Sequence, residues 1–424
     1  MASGRSGLLR VAHLALSSAS VVCPKRISPH PWPSNRSMGG AVNTGGAAAM
    51  NKNEASTLKE WTNERAFSVA GREYPWDMET SRRAFLAGAA GLGLAGVGLS
   101  MGSDPVAEPD EVLRPPALRP GDRIAIVCPA GPADDQAHLD RAAERVRSLG
   151  FEPVLGKRAL ARWGYLAGTD AERAEDLNEV IRDPDVQGVF CLRGGYGAMR
   201  ILPVLDYEAM RKSPKVIMGY SDITALHLAY LAQSGVVSFH GPCAESSWTE
   251  YARGTLPVCL AAEAWGEVKN AASTEPRRTL VPGVAEGPLV GGNLTLVASM
   301  CGTPYLPSLA GAIVFLEDIG EEPYRVDRML TQLILNGGLA EAAGIVFGNF
   351  RKRPRPGEEP PPDDPNLTFS MEQVHEERAK AAGVPAMAGL PFGHVADNHI
   401  MPLGVRARLD ATAQTLTLLE PAVR

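Results

Sequence analysis

The chain has 424 residues, which allows two or three domains and a substantial core. Its 45% apolar and 21% charged residues are ordinary for a globular protein, a net charge of −6 argues against a nucleic-acid binder, and six cysteines without close C-x-x-C spacing exclude a disulfide scaffold and a Cys-based zinc or redox motif. The charge is uneven: residues 1–103 hold 11 Lys/Arg and 6 Asp/Glu, a balance of +5, and the remainder holds 31 and 42, a balance of −11.

A basic front on an acidic body places the front outside the fold. Residues 1–77 mix Ser, Gly, Asn, Pro and Ala with little periodicity. They are expected to be disordered, or to be sequence upstream of a start at Met78. Ser81-Arg82-Arg83-Ala84-Phe85-Leu86 then leads into a Gly/Ala-rich apolar run ending at Met101. An arginine pair ahead of a weakly hydrophobic segment is the layout of a twin-arginine export signal, here 78–103, with cleavage expected near Gly102. That implies a periplasmic protein and the twin-arginine export machinery as a partner. The alternative is an uncleaved membrane anchor, since the run of 18 residues is near the minimum for a span. Residues 104–117 are Pro- and Glu-rich and read as a linker.

From Asp122 the pattern alternates. Buried strands are expected at 122–129, 151–155, 188–192, 215–220 and 236–240. Helices are expected at 138–149, 170–182 and 223–233, with a further helical stretch after Met199. This alternation argues a parallel α/β sheet with its site at the carboxyl ends of the strands. Residues 246–285 are irregular and read as a connection between an N-terminal domain (118–245) and a C-terminal domain (286–424). In the latter, strands are expected at 312–316 and 344–348, a helix at 325–335, a charged Pro-rich loop at 351–364 and a closing hairpin at 405–419.

Three segments could carry chemistry. Gly219-Tyr220-Ser221-Asp222 joins a buried strand to a helix, so Ser221 exposes a hydroxyl where the following N–H groups could stabilise an oxyanion. The competing role for Ser221 is a helix N-cap, and the G-x-S-x-G signature is absent. Glu317 and Asp318 end a hydrophobic strand, where a carboxylate can orient a histidine or simply face solvent. His394 sits in a Gly/Pro-framed loop and suits a general base, or a structural role. A further turn, Arg193-Gly194-Gly195-Tyr196-Gly197, lets backbone N–H groups approach a ligand but does not fit a nucleotide-binding motif.

Taken together, the segments resemble the bacterial L,D-carboxypeptidases, the muramoyl-tetrapeptide carboxypeptidase family of serine peptidases, which includes the microcin C immunity peptidases. The matching pieces run in family order: LRPGDRIAIVCPAGP (118–132), GYLAGTDAERAEDL (164–177), RGGYGAMRILPVLD (193–206), GYSDITAL (219–226), HGP (240–242), GGNLTLV (291–297), FLEDIGEEPYRVDRML (315–330) and PFGHVADNHIMPLG (391–404). Each is weak alone; eight in order are specific. The resemblance implies an α/β fold: an N-terminal parallel-sheet domain of Rossmann or flavodoxin type and a smaller C-terminal mixed α/β domain with a β-barrel-like sheet. It implies Ser221 as nucleophile, His394 as base and Glu317 as its orienting acid. The Asp222 and Gly195 backbone N–H groups would form the oxyanion hole, Gly195 being preferred to Gly194. It also implies a murein peptide substrate cut before a terminal D-Ala, no metal or other cofactor, and a homodimer. Arg193, Tyr220 and Arg325 are the expected substrate contacts, an arginine being needed for the free carboxylate.

Three other readings remain at this point. A microcin-type immunity peptidase would cleave a peptide–nucleotide antibiotic with the same motifs. A periplasmic binding protein would bind without turnover. A metallohydrolase would use His240, His394, His399 and Asp318, although no H-E-x-x-H helix supports it.

Overall fold

The computed structural model describes residues 112–272, 274–351 and 368–424, together with two short antiparallel strands, Phe67–Val69 and Arg72–Tyr74. The export signal, most of the linker, and the 351–364 loop from residue 352 onward lie outside the described residues. The short pair of strands belongs to one compact unit and the body, from residue 99 on, to another. Among the described residues no helix is long and apolar enough to cross a membrane.

The body contains two sheets. In the first, β1 (Arg123–Val127), β2 (Glu152–Leu155), β3 (Gly188–Cys191), β4 (Val216–Gly219) and β5 (Ser238–His240) are parallel, in the order β2-β1-β3-β4-β5. This is the flavodoxin-type order, and its direction reverses between β1 and β3. The local rules are visible in the helices that link the strands. Helix α1 (Gln136–Ser148) starts where the Asp135 carboxylate accepts the His138 N–H at 2.7 Å. Helix α2 (Asp170–Arg182) starts at a Thr169–Glu172 capping box. After the four-residue helix α3 (Ala198–Ile201) and helix α4 (Tyr207–Lys212) comes α5 (Thr224–Ser234), which ends on left-handed Gly235.

The second sheet has eight strands and is mixed. It comprises β6 (Gly266–Glu267), β7 (Arg278–Val281), β8 (Val284–Asn293), β9 (Ile313–Ile319), β10 (Gly344–Arg351), β11 (Ala386–Ala388), β13 (Arg406–Asp410) and β14 (Thr415–Leu418). Its order is β6-β14-β13-β8-β9-β10-β11-β7, with β8 through β11 parallel. The hairpin expected near the C-terminus is β13–β14. The segment expected to be an irregular connection supplies two short helices, α6 (Glu250–Gly254) and α7 (Pro257–Leu260), and both edge strands, β6 and β7. Between β11 and β13, strand β12 (Met401–Leu403) leaves this sheet and pairs antiparallel with β5, completing the first one. The apolar core is correspondingly continuous: Val127, Cys191 and Ile217 of the first sheet share a cluster with Leu289, Phe315 and Val346 of the second.

At the carboxyl ends of β1, β3 and β4 three loops meet, and one buried arginine holds two of them. Arg173 of α2 donates to Pro129 O at 2.5 Å and Gly197 O at 2.8 Å, and pairs with Asp170. Both terminal nitrogens of this buried guanidinium are thereby satisfied, while its Nε has no hydrogen-bond partner. Asp170 also holds Arg200 through both carboxylate oxygens, which fixes α3. Arg173 lies in one of the motif segments, but nothing in its spacing announced that its side chain points inward.

Candidate active site

Ser221 opens a single 3-10 turn, Ser221–Ile223, at the end of β4, and its φ is +65°. An L-residue held in that region stores roughly 1–3 kcal/mol, and such strain persists only where the surroundings over-determine it. The N-cap role does not hold. The turn is entered from Tyr220 without a side-chain cap bond, and α5 begins at Thr224, also without one. Gly194 is packed so closely that a β-carbon on it would lie 2.8 Å from Ser221 Cβ and 3.2 Å from the Asp222 nitrogen. The Arg193–Gly197 loop therefore needs glycine against the serine turn.

Two features organise that loop. The Asp222 carboxylate, buried with the turn, accepts the Ala198 N–H at 2.8 Å, and burial pushes its pKa up against that bond and the Arg173 charge. The Asp222 side chain thus ties the serine turn to the start of α3, a role separate from the one expected of its N–H. The backbones of Gly194 and Tyr220 hydrogen-bond the Cys243 thiol, whose pKa burial raises to about 12. All five described cysteines carry free thiols.

His394 and Glu317 meet each other beside this turn through a direct hydrogen bond. Glu317, fully buried in β9, accepts from His394 Nδ1 at 2.7 Å. Burial alone would raise its pKa, but the two neighbouring histidines, His394 and His240, outweigh it and hold the carboxyl at about 2. Its other oxygen lies 3.5 Å from Asn293 Nδ2 and 3.5 Å from His240 Nε2. Asp318, the second acid of the pair, faces elsewhere. It accepts from Asn293 Nδ2, Thr295 N and Thr295 Oγ1 at 2.8–3.0 Å, anchoring helix α8 (Leu294–Ser299), and burial raises its pKa. The sequence left both carboxylates open; their partners separate an acid paired with histidines from one that holds a helix start.

His394 leans edge-on against the Tyr220 ring, centroids 4.9 Å apart, so the imidazole stands beside the residue preceding Ser221. Gly393 permits this. Its φ is +97°, and a β-carbon there would come within 2.4–2.7 Å of the Glu317 side chain. Its N–H is held by the Asn398 side chain at 3.0 Å. We expect Gly393→Ala to lower kcat at least tenfold and to lower the midpoint of urea unfolding, because either the backbone or the carboxylate must move. Unchanged kinetics would show that the pair tolerates displacement.

A cleft of about 290 Å³ opens here, lined by Tyr220, Pro242, Ser246, Ile319, His394 and Asn398 among others. Tyr220 lines this cleft, and burial raises its phenol pKa. Arg193 is half-exposed between Glu245, at 3.6 Å, and Asp134, at 3.7 Å. Arg325 is exposed and pairs with Glu321 at 3.7 Å and the Tyr324 hydroxyl at 3.1 Å; neither arginine is among the residues lining the cleft. The four residues of the metal reading do not converge. His399 Nδ1 meets Ile400 O at 2.9 Å and Asp318 faces Thr295, and among the described residues no group of three or more His, Cys, Asp or Glu could hold a metal ion.

A carboxylate-paired imidazole and a serine on a strained strand-end turn are the equipment of an acyl-transfer hydrolase. The comparisons give the family. Residues 124–241 match the LD-carboxypeptidase N-terminal domain and residues 286–409 its C-terminal domain, so the chain belongs to the LD-carboxypeptidase family and is a serine-type carboxypeptidase. It is 39% identical over 312 residues to a probable murein peptide carboxypeptidase of Bacillus subtilis, covering 73% of this chain and 95% of that one. The solved muramoyltetrapeptide carboxypeptidase of Oxalobacter formigenes superposes with a TM-score of 0.60 at 33% identity, covering 70% and 97%. The microcin C7 self-immunity protein of Escherichia coli is 27% identical over 337 residues, covering 72% and 94%.

Proposed function

We propose that the chain releases terminal D-Ala from murein tetrapeptides through Ser221, Glu317 and His394. The observation that carries the triad is the 2.7 Å His394–Glu317 pair beside the φ +65° turn of Ser221. The ionised Glu317 holds the proton on His394 Nδ1 and leaves Nε2 to accept the Ser221 proton as the hydroxyl attacks the scissile carbonyl. The Asp222 and Gly195 N–H groups receive the oxyanion. His394 then protonates the leaving D-amino acid, and water resolves the acyl-enzyme. Arg193, next to the oxyanion turn, is the better placed of the two arginines for the substrate carboxylate. The murein reading is favoured over the peptide–nucleotide one by identity, 39% and 33% against 27%.

The test is D-Ala release from a murein tetrapeptide by the purified full chain, beside an aminoacyl-nucleotide substrate. Cleavage of the nucleotide substrate alone would move the protein to the immunity class. Saturable binding with no cleavage of either would support a binding protein.

For location we propose export by the twin-arginine route to the periplasm, on the strength of Arg82-Arg83 ahead of the Gly/Ala-rich run. Replacing both arginines by lysine should keep the protein in the cytoplasm; an unchanged periplasmic fraction would refute the signal. The expected assembly is a homodimer, which sedimentation can check.

A further inference from the structure

The HGP segment (240–242) has no part in the reaction just described, yet it places a second imidazole against the same carboxylate. His240 ends β5, in register with Gly219 at the end of β4, immediately before the serine turn. Its side chain is fully buried. Its ring is enclosed by the edges or faces of Tyr220, Phe315, Phe392 and His227 at centroid distances of 5.7–6.5 Å. Gly292 leaves room for it: a β-carbon there would sit 3.1 Å from His240 Cδ2.

Neither ring nitrogen of His240 has a well-formed hydrogen bond. An unpaired polar group in such a site costs on the order of 1–3 kcal/mol, and an apolar residue of similar size would avoid the cost. The charged group within reach of it is Glu317: Nε2 lies 3.5 Å from Oε1, the oxygen that does not meet His394. The contact joins the first sheet to the second, since His240 belongs to β5 and Glu317 to β9.

We infer that His240 is a positioning residue for the reaction, donating from Nε2 to Glu317 Oε1 so that Oε2 stays aimed at His394 Nδ1. A fully buried carboxylate must be held in its charged form by neighbours, and one that serves as orienting acid must also be kept from rotating. His394 contributes to the first through one oxygen. His240 acts on the other oxygen, at a 3.5 Å separation of the kind catalytic hydrogen bonds show before substrate binds. Asn293 Nδ2, at the same distance, shares Oε1 but is already spent on Asp318 at 3.0 Å.

The inference rests on the triad reading, not on the identity of the substrate. Its test compares His240→Leu, which fills the space without a donor, with His240→Gln, whose side-chain amide can present an N–H near the position of Nε2. On D-Ala release, the Leu variant should lose about 100-fold in kcat with KM within threefold, and the Gln variant should recover to within tenfold of wild type. A substrate-free readout is the NMR resonance of the proton between His394 and Glu317, expected to move in the Leu variant and to hold in the Gln variant. Both variants should unfold within a few degrees of each other. Equal impairment of the two, a loss confined to KM, or an unmoved resonance in the Leu variant would overturn the inference. Should the wild type release no D-Ala while the resonance behaves as expected, the substrate reading falls and the role of His240 stands.

Discussion

Replacing Ser221 with alanine should lower D-Ala release from a murein tetrapeptide by about 10⁴- to 10⁶-fold, with binding of the tetrapeptide retained. Loss of the nucleophile from a triad removes the covalent route and leaves the slower catalysis that an oxyanion hole and substrate binding supply. The same position offers an internal control. The φ of +65° is strained for any residue with a β-carbon, so Ser221→Gly should be equally inactive but should need more denaturant to unfold, by about 1 kcal/mol. Alanine keeps the strain and should not gain this stability. Ser221→Ala enzyme that still releases D-Ala at the wild-type rate would remove Ser221 from the mechanism. Equal unfolding midpoints for Ala and Gly would mean that the turn is not held against its preference.

The strand–helix alternation made the first sheet legible from Asp122 to His240, because a parallel sheet buried on both faces leaves continuous apolar runs. The second sheet was less legible. Strand β8 contains Gly287, Gly291 and Gly292, which break the apolar pattern, and those glycines are there because neighbouring backbone comes too close for a side chain: a β-carbon on Gly291 would lie 1.9 Å from Phe315 O. The crossing of β12 into the first sheet was not readable, since a three-residue strand carries no period. Ser221, Glu317 and His394 emerged from strand-end position together with family resemblance. Arg173, Asp222's side chain, Asn293 and His240 did not, because a buried polar residue is recognised by its partners, and those partners are distant in sequence: 44 residues from Arg173 to Pro129, and 77 (317 − 240) from His240 to Glu317.

Glu317→Gln should cost about 10⁴-fold in kcat, although it changes one atom type. A carboxylate accepts a hydrogen bond from His394 Nδ1–H and so fixes the tautomer in which the Nε2 lone pair takes a proton from Ser221. The amide can turn an N–H toward Nδ1 instead, which puts the imidazole proton on Nε2, where it faces the serine hydroxyl as a donor and the base is lost. The substitution also has a stability signature whose sign follows from the depressed carboxyl. Glu317 sits at about 2 in the folded protein against an ordinary 4.5, burial opposing the shift and the histidine charges producing it. Its contribution to stability is therefore fully present above about pH 4.5 and is lost as pH falls toward 2. The wild type should lose stability steeply across that window, and Glu317→Gln, which has no proton to take up at this position, should lose less. Urea unfolding at closely spaced pH values between 2 and 5 measures the difference. Parallel curves for the two proteins would mean that Glu317 is not held ionised by its histidines, and the orienting role assigned to it would fail with that result.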